Sequence, residues 1–392
     1  MGLRTVINTL HRSVYPFLPV FARALGVPLE VFSGAIALRS LAGALSPILS
    51  SVGERHGRRA GMLFGLALFG LGMLVILLWP VFPGFVAGII LAVMGKSVID
   101  PSMHAFIGDS VPFARRGRAV AVVELGWSLS FLLGIPAMGY LIKWGGWLAP
   151  FPIFLILTVV AMAGVFYVFR RGAASSGDRP TLGGSARSIL KSPLARAGLA
   201  MVFFLSVANE LVNVVFGVWL EQSFELKLAA LAGASFVIGG SELLGESLVG
   251  VLTDRLGKPR AVGLGILLNC LSAILLPIIS TTSAGAFVGL FLFYVTFEFT
   301  VVSSIPMMTE LTSGSRATFM GFVILVLSIG RAAGDLTGLS LYRWGIGAVV
   351  AANVALNLAA ILMVRRVALG VSDPGDPRKG YSRRNRTGSS SL

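Results

Sequence analysis

About twelve times along the chain, apolar residues run on for long enough to cross about 30 Å of hydrocarbon. The runs lie at roughly 5–25, 31–51, 61–80, 84–108, 118–142, 148–169, 197–220, 228–252, 261–280, 285–308, 317–341 and 346–364, with polar segments between them. The bilayer core holds no water to pair with exposed backbone N–H and C=O groups, so a run of this length is a helix. A transmembrane barrel would show shorter segments of alternating polarity, and these runs do not alternate. Only 12% of residues are charged and 55% are hydrophobic, against about a quarter charged in soluble domains. The expectation is an all-α membrane protein of about twelve transmembrane helices. The first run holds His11, Arg12, Pro16 and Pro19 and no small-residue cleavage site, so it reads as a retained span rather than a signal peptide.

One short phrase is written twice. Ser50-Ser51-Val52-Gly53-Glu54-Arg55-His56-Gly57-Arg58-Arg59 returns about 200 residues later as Gly250-Val251-Leu252-Thr253-Asp254-Arg255-Leu256-Gly257-Lys258-Pro259-Arg260. Leu141-Ile142-Lys143-Trp144-Gly145 returns as Leu341-Tyr342-Arg343-Trp344-Gly345, and Arg118-Ala119 as Arg316-Ala317. A repeat half the length of the chain implies two pseudo-symmetric six-helix bundles. The division expected is an amino-terminal bundle over 1–170, a cytoplasmic linker over 171–196 rich in Gly, Ser, Arg and Pro, a carboxy-terminal bundle over 197–366 and a disordered basic tail over 367–392.

The net charge of +15 follows the loops. Arg55, Arg58, Arg59, Arg115, Arg116, Arg118, Arg170, Arg171, Arg179, Arg187, Lys191, Arg196, Arg255, Lys258, Arg260, Arg316 and the tail cations all fall in alternate loops, while the opposite loops hold Arg23, Lys143, Lys227 and Arg343. This positive-inside bias places both termini in the cytoplasm of a multi-pass plasma-membrane protein, with a bacterial inner membrane the expected location. The basic balance then reports topology and contact with anionic headgroups, not nucleic acid. Asn385-Arg386-Thr387 is a glycosylation sequon on the wrong side, and Cys270 in an apolar run reads as a small buried hydrophobe.

The repeated pattern Gly-x-x-x-Asp-Arg-x-Gly-x-[Arg/Lys], between the second and third spans of each half, resembles the signature loop of the major facilitator superfamily. The second copy supplies Gly250, Asp254, Arg255 and Gly257, followed by Lys258; the first has Ser50 and Glu54 for the Gly and Asp, then Arg55, Gly57 and Arg58. The resemblance extends to span count, half-repeat and central loop. It implies a transporter in which these loops latch the cytoplasmic side while the protein opens outward. Such a loop has a physical rationale. Its acid can accept hydrogen bonds from a helix N-terminus, and its Arg can clasp a second acid. Asp109 facing Arg55 and Arg118, and Glu310 facing Arg255 and Arg316, are the candidates. Two other family patterns are degraded. Leu91 stands where many members carry an Arg ahead of Gly95, and Gly134-Ile135-Pro136-Ala137-Met138-Gly139 lacks the final Gly pair of the antiporter run.

Charges inside the membrane point to mechanism, because each costs about 2.5–3.5 kcal/mol at the bilayer centre unless it faces a partner or a wet cavity. The amino half carries Arg12 beside His11, Arg39, Lys96, Asp100 and Glu124; the carboxy half carries Glu210, Glu242, Glu246, Glu298, Arg331 and Asp335. Family resemblance places Arg12, Asp100, Glu210 and Glu298 on cavity-lining spans. Asn8, Arg12 and Tyr15 share a helix face and could bind a substrate or serve packing. Arg331 and Asp335, four apart, could pair within one helix or take part in gating. Glu242 and Glu246 are like charges four apart, one of which should hold a proton unless a cation reaches them. Glu210 with Asn209 and Asn213, Asp100 before Pro101, and Glu298 are the proton-coupling candidates.

Other chemistry lacks residues. His11, His56 and His104 have no metal-ligand spacing, Gly263-x-Gly265 follows no strand, and no nucleophilic constellation assembles, so neither enzyme nor cofactor is expected. Gly61/Gly65 and Gly240/Gly245 suit close helix packing. The expected function is secondary active transport of a small solute by alternating access. It is expected to be proton-coupled, to work as a monomer, and to lean toward efflux of amphiphilic or cationic compounds. Uptake of a small metabolite and a non-transporting sensor or scaffold with the same fold stay open.

Overall fold

The computed structural model describes residues 1–49, 56–168, 189–225, 228–311 and 316–372. The helices in chain order are α1 (Gly2–Ser13), α2 (Leu18–Ala24), α3 (Leu29–Gly43), α4 (Ser46–Leu49), α5 (Arg58–Leu78), α6 (Phe82–Ser110), α7 (Phe113–Leu129), α8 (Ile135–Gly145), α9 (Pro150–Val168), α10 (Pro193–Phe224), α11 (Leu228–Leu256), α12 (Lys258–Ile279), α13 (Ser283–Glu310), α14 (Arg316–Tyr342) and α15 (Ile346–Ser372). A single π-helical turn, Ser130–Gly134, joins α7 to α8. No strand occurs among the described residues.

Ten of these are long and apolar enough to cross a membrane, with α7 and α8 counted together through the π turn. An eleventh is reached only if Leu18–Ala24 and Leu29–Gly43, bent by 113°, count as one. The two expected runs that do not form continuous helices are 5–25 and 31–51. The first breaks in a turn over 14–17 that contains Pro16, and the second ends α3 at Gly43 and resumes at Ser46 beside Pro47. Proline offers no N–H to the helical ladder and clashes with the carbonyl four residues back. Conversely, Pro101, Pro277 and Pro306 lie inside continuous helices. The last helix runs on to Ser372, past the expected boundary at 366, because Val367 is buried in the carboxy-half core.

The half-repeat appears in the packing. α5 on α6 and α9 on α5 in the amino half match α12 on α13 and α15 on α12 in the carboxy half. Gly57 and Gly257, two hundred positions apart, begin α5 and α12 with φ of 90° and 81°, a backbone region that side chains avoid. The halves meet along two reciprocal seams, α3 against α14, and α8 with the π turn against α11.

One buried core spans both halves, drawing Ile7 to Ile36 together with Leu211 to Ile238. A second, from Ile189 to Val367, belongs to the carboxy half alone and lies toward the cation-rich loops. The inter-half packing is therefore concentrated from the middle of the bundle to the cation-poor end.

Candidate functional site

The site is built where both seams pass the middle of the bundle. Pro136 cannot donate a helical N–H, and just before it the chain takes a π turn closed by Ile135 N–H to Ser130 O. Opposite, α11 presents Gly239, where an added Cβ would stand 2.9 Å from Leu132 N and 3.0 Å from Phe131 Cβ. That close approach brings Glu242, three residues on, to Arg12 of α1. The guanidinium donates through Nη1 to Glu242 Oε2 at 2.8 Å and through Nη2 to Oε1, and Nη1 also reaches Trp127 O at 3.2 Å. Its Cζ lies 3.6 Å from the centre of the Phe131 ring and 4.3 Å from that of Trp127. Both charged side chains are buried. The cation that the Glu242/Glu246 pair required thus comes from the opposite half.

A second cluster belongs to the amino half. Lys96 Nζ donates to Asn8 Oδ1 at 2.7 Å and to Asp100 Oδ2 at 2.5 Å. Arg4 reaches Asp100 at 3.9 Å and bonds Glu124, and Glu124 is 3.2 Å from His104 Nε2. Asn8, Lys96, Asp100, Arg4, Glu124 and His104 form one chain across α1, α6 and α7. Asp100, a proton-coupling candidate, is held by two cations. Arg39 donates through Nη1 to His11 O at 2.5 Å and through Nη2 to Tyr15 Oη at 2.8 Å. Tyr15 lies in the turn after α1 ends at Ser13, so it reaches Arg39 from a turn and not from the expected helix face. The space between His11, Arg39 and Lys96 is about 10 Å³, no more than one water.

The carboxy half holds the less neutralised acids. Gly334 lets α14 close on α10, with a would-be Cβ only 2.5 Å from Glu210 Cβ. Glu210 accepts from Asn213 Nδ2 at 3.3 Å, Asn213 Oδ1 accepts from Tyr294 Oη, and Arg331 Nε stands 4.0 Å from Glu210. Asp335 accepts from Ser40 Oγ of the amino half at 2.7 Å, and its backbone carbonyl accepts from Ser33 Oγ. Arg331 and Asp335 share a helix face but take other partners: both come near Glu210 of α10, and Asp335 also bonds Ser40 of α3. Glu210 Oε1 and Asp335 Oδ1 are buried without a hydrogen-bond partner, and the two carboxyls interact directly. Glu298 is buried on α13, where Gly245 packs against it. Among the described residues neither Glu298 nor Asp335 has a cation within 4.0 Å.

The signature loops are partly outside this description. Glu54 and Arg55 lie outside the described residues, as do the side chains of Asp109, Arg118, Asp254 and Arg316. Glu310 is bonded by Lys258, which opens α12 and faces the end of α13 directly; of the expected partners Arg255 and Arg316, the side chain of Arg316 is outside the described residues. A cavity of about 340 Å³ lies beside this pair, lined by Thr253, Gly257, Met307 and Val367 among others. Gly250 has open space around it, Arg255 is exposed, and Arg58 opens α5.

Two contacts had no counterpart in the sequence reading. Arg23 pairs with Glu221 at 2.7 Å, and Arg343 with Glu30 at 2.8 Å, each across the two halves at the cation-poor end. The signal was present: these are two of only four cations in those loops. Arg4 and His104 were likewise missed as partners of Glu124.

With this geometry in place, comparison with known proteins is specific. Residues 3–334 match the family model of the Major Facilitator Superfamily. The chain is 25% identical over 288 residues to the uncharacterized MFS-type transporter YbcL of Bacillus subtilis, covering 73% of each chain. It is 22% identical over 340 residues to Multidrug resistance protein 2 of the same organism, covering 83% of this chain and 82% of the relative. Its fold superposes on that of the peptide transporter POT in complex with alafosfalin with a TM-score of 0.74, at 13% identity and over 93% of this chain and 94% of that one. The chain belongs to the Major Facilitator Superfamily and is a multi-pass membrane transporter, not an enzyme.

Proposed function

We propose that this transporter is a proton-coupled exporter of small amphiphilic or cationic compounds, working by rocking one half against the other. The observation that carries this reading is the carboxyl pair of Glu210 and Asp335. Each has a buried oxygen without a donor, and a single proton shared between them would give both a partner. Asp335 also accepts Ser40 across the α3–α14 seam. Loss or gain of that proton would therefore change a bond that the rocking motion has to break. Protonation at one side and release at the other then biases which conformation is stable. Glu298, buried beside Glu242 and Glu246, is the second candidate carrier; Asp100, neutralised by Lys96 and Arg4, is demoted.

Export is favoured by the surplus of acid in the carboxy half and by the likeness to Multidrug resistance protein 2. The positive-inside pattern supports cytoplasmic termini, with contact to anionic headgroups, and the presence of both bundles in one chain supports a monomer. Lys96 and Arg39, facing the middle from the amino half, favour uptake of an anionic or zwitterionic metabolite as the second reading.

The test is a pH-gradient assay in energised inverted vesicles, with a panel of lipophilic cations, sugars and organic anions. Proton release on adding a cation is expected, and it should be lost in Glu210→Gln and in Asp335→Asn. Full proton release by both variants would remove the carboxyl pair from the mechanism, and a response to organic anions alone would favour uptake.

A further inference from the structure

Arg12 does more than join the halves: it occupies a binding site for a cation. Three features of its surroundings would be needed by any planar organic cation. Glu242 offers two carboxylate oxygens in fork geometry, both taken by Arg12. The rings of Phe131 and Trp127 present their faces to the charge at 3.6 and 4.3 Å, well within the range of about 6 Å over which a ring quadrupole attracts a cation. The Trp127 carbonyl supplies a further acceptor at 3.2 Å. Glu298 and Glu246 lie close enough to Glu242 to interact with it electrostatically. The cage is built by unusual local structure, the π turn that carries Phe131 and the bare Gly239 that admits it.

We propose that this cage of Glu242, Trp127 and Phe131 is the recognition site for the transported cation, with Arg12 as a resident cation that cargo displaces. The proposal rests on the export reading above and names its subsite. A planar aromatic cation, or one bearing a guanidinium or amidinium group, would replace Arg12 on Glu242 and on the rings. Released, Arg12 would no longer tie α1 to α11, so binding of cargo would undo an inter-half bond. Selectivity follows from the same geometry. An anion gains nothing from the cage, and a compact ammonium fills the fork of Glu242 less well than a guanidinium does.

Intramolecular competition has a measurable signature. If Arg12 fills the cage nine-tenths of the time or more, removing it raises apparent affinity for a competing cation by about tenfold or more. Ethidium binding to the purified full-length protein in nanodiscs, followed by fluorescence anisotropy, reads this directly. Arg12→Ala is expected to bind ethidium about tenfold more tightly than the wild type, and Arg12→Lys, which keeps charge but loses the fork, by a smaller factor. Adding Glu242→Gln to Arg12→Ala should abolish the gain. Eosin, a planar anion, should show no gain in any variant. If Arg12→Ala does not fold, the Arg12→Lys measurement decides. Ethidium affinity unchanged or weakened in the folded variants would overturn the cage, as would tighter eosin binding, which would make Arg12 an anion anchor. The vesicle assay separates the two ideas: proton-coupled cation export by the wild type with no gain in Arg12→Ala sinks the cage alone. A tenfold gain in a protein that exports no cation leaves the cage standing and sinks the export reading.

Discussion

The paired contacts at the cation-poor end make a prediction that separates conformational balance from stability. Arg343 bonds Glu30 at 2.8 Å and Arg23 bonds Glu221 at 2.7 Å, and both pairs cross from one half to the other. Arg23 and Arg343 are mostly exposed, so each pair contributes about 0.2–1 kcal/mol, too little to hold a fold together. The same energy is large for a two-state equilibrium, since about 1.4 kcal/mol shifts it tenfold. Arg343→Glu replaces one attraction with a repulsion of similar size, a swing of about 0.4–2 kcal/mol, or about a 2- to 30-fold rise in the ratio of open to closed at this end. The double reversal Glu30→Arg with Arg343→Glu restores the pair and should restore the ratio. Spin labels at Trp144 and Trp344, exposed at matching ends of the two halves, would report this as a long-distance population by pulsed electron resonance. It should grow in either single variant and shrink in the double, with unfolding temperature in detergent nearly constant. High salt should move the wild type the same way, because exposed pairs are screened. Superposable distance distributions, or a double variant no closer to wild type than the singles, would refute the assignment of these pairs as a gate.

Two further outcomes bear on the scaffold. Gly257 takes φ of 81° and ψ of 139° at the start of α12, a region closed to most side chains; Gly257→Ala should cost about 1–3 kcal/mol, seen as a lower melting temperature in detergent with the Lys258–Glu310 contact weakened. Asn357 donates to Asn269 Oδ1 at 2.9 Å and to Asn353 Oδ1 at 3.1 Å in the carboxy-half core. Asn357→Leu strands both acceptors and should destabilise by about 1–2 kcal/mol, whereas an unchanged melting temperature would mean that the two amides find other donors.

The scaffold was legible because it depends on properties each segment carries by itself. An apolar run longer than the hydrocarbon is thick must be helical whatever its neighbours are, and the half-repeat fixes which helices correspond. The breaks at Pro16 and Pro47 have local causes, whereas the extension of α15 follows from packing, through buried Val367. The site was legible as a set of residue types but not as a set of bonds. Helical spacing suggests Arg331 with Asp335, yet the close approach at Gly334 brings Glu210 to both of them, and Ser40 takes the other oxygen of Asp335. Nothing within 230 positions of Arg12 announces Glu242, because that bond depends on a π turn and a glycine that set the distance between separate helices. Pairing across a bundle is a property of packing, and one sequence displays it only where a local rule happens to agree.

The way charge and apolar surface are divided follows from what the proposed cycle requires. An interface welded by a deep apolar core would resist parting, since about 25 cal/mol is lost for every Å² returned to water. At the cation-rich end the carboxy half keeps its own core, Ile189 to Val367, with no share in the other half. Through the middle the inter-half bonds are polar: Arg12 with Glu242, Ser40 with Asp335, Ser33 with the Asp335 carbonyl. Bonds of this kind are strong when dry and replaceable when wet, because water, a proton or a cationic solute can satisfy the same groups. The apolar core shared by the two halves lies from the middle to the cation-poor end, so parting at the cation-rich end exposes little of it, and through the middle the polar bonds are the contacts that answer to ligand and proton. The ionised groups that look so costly in the sequence are, on this view, what keeps the two bundles separable.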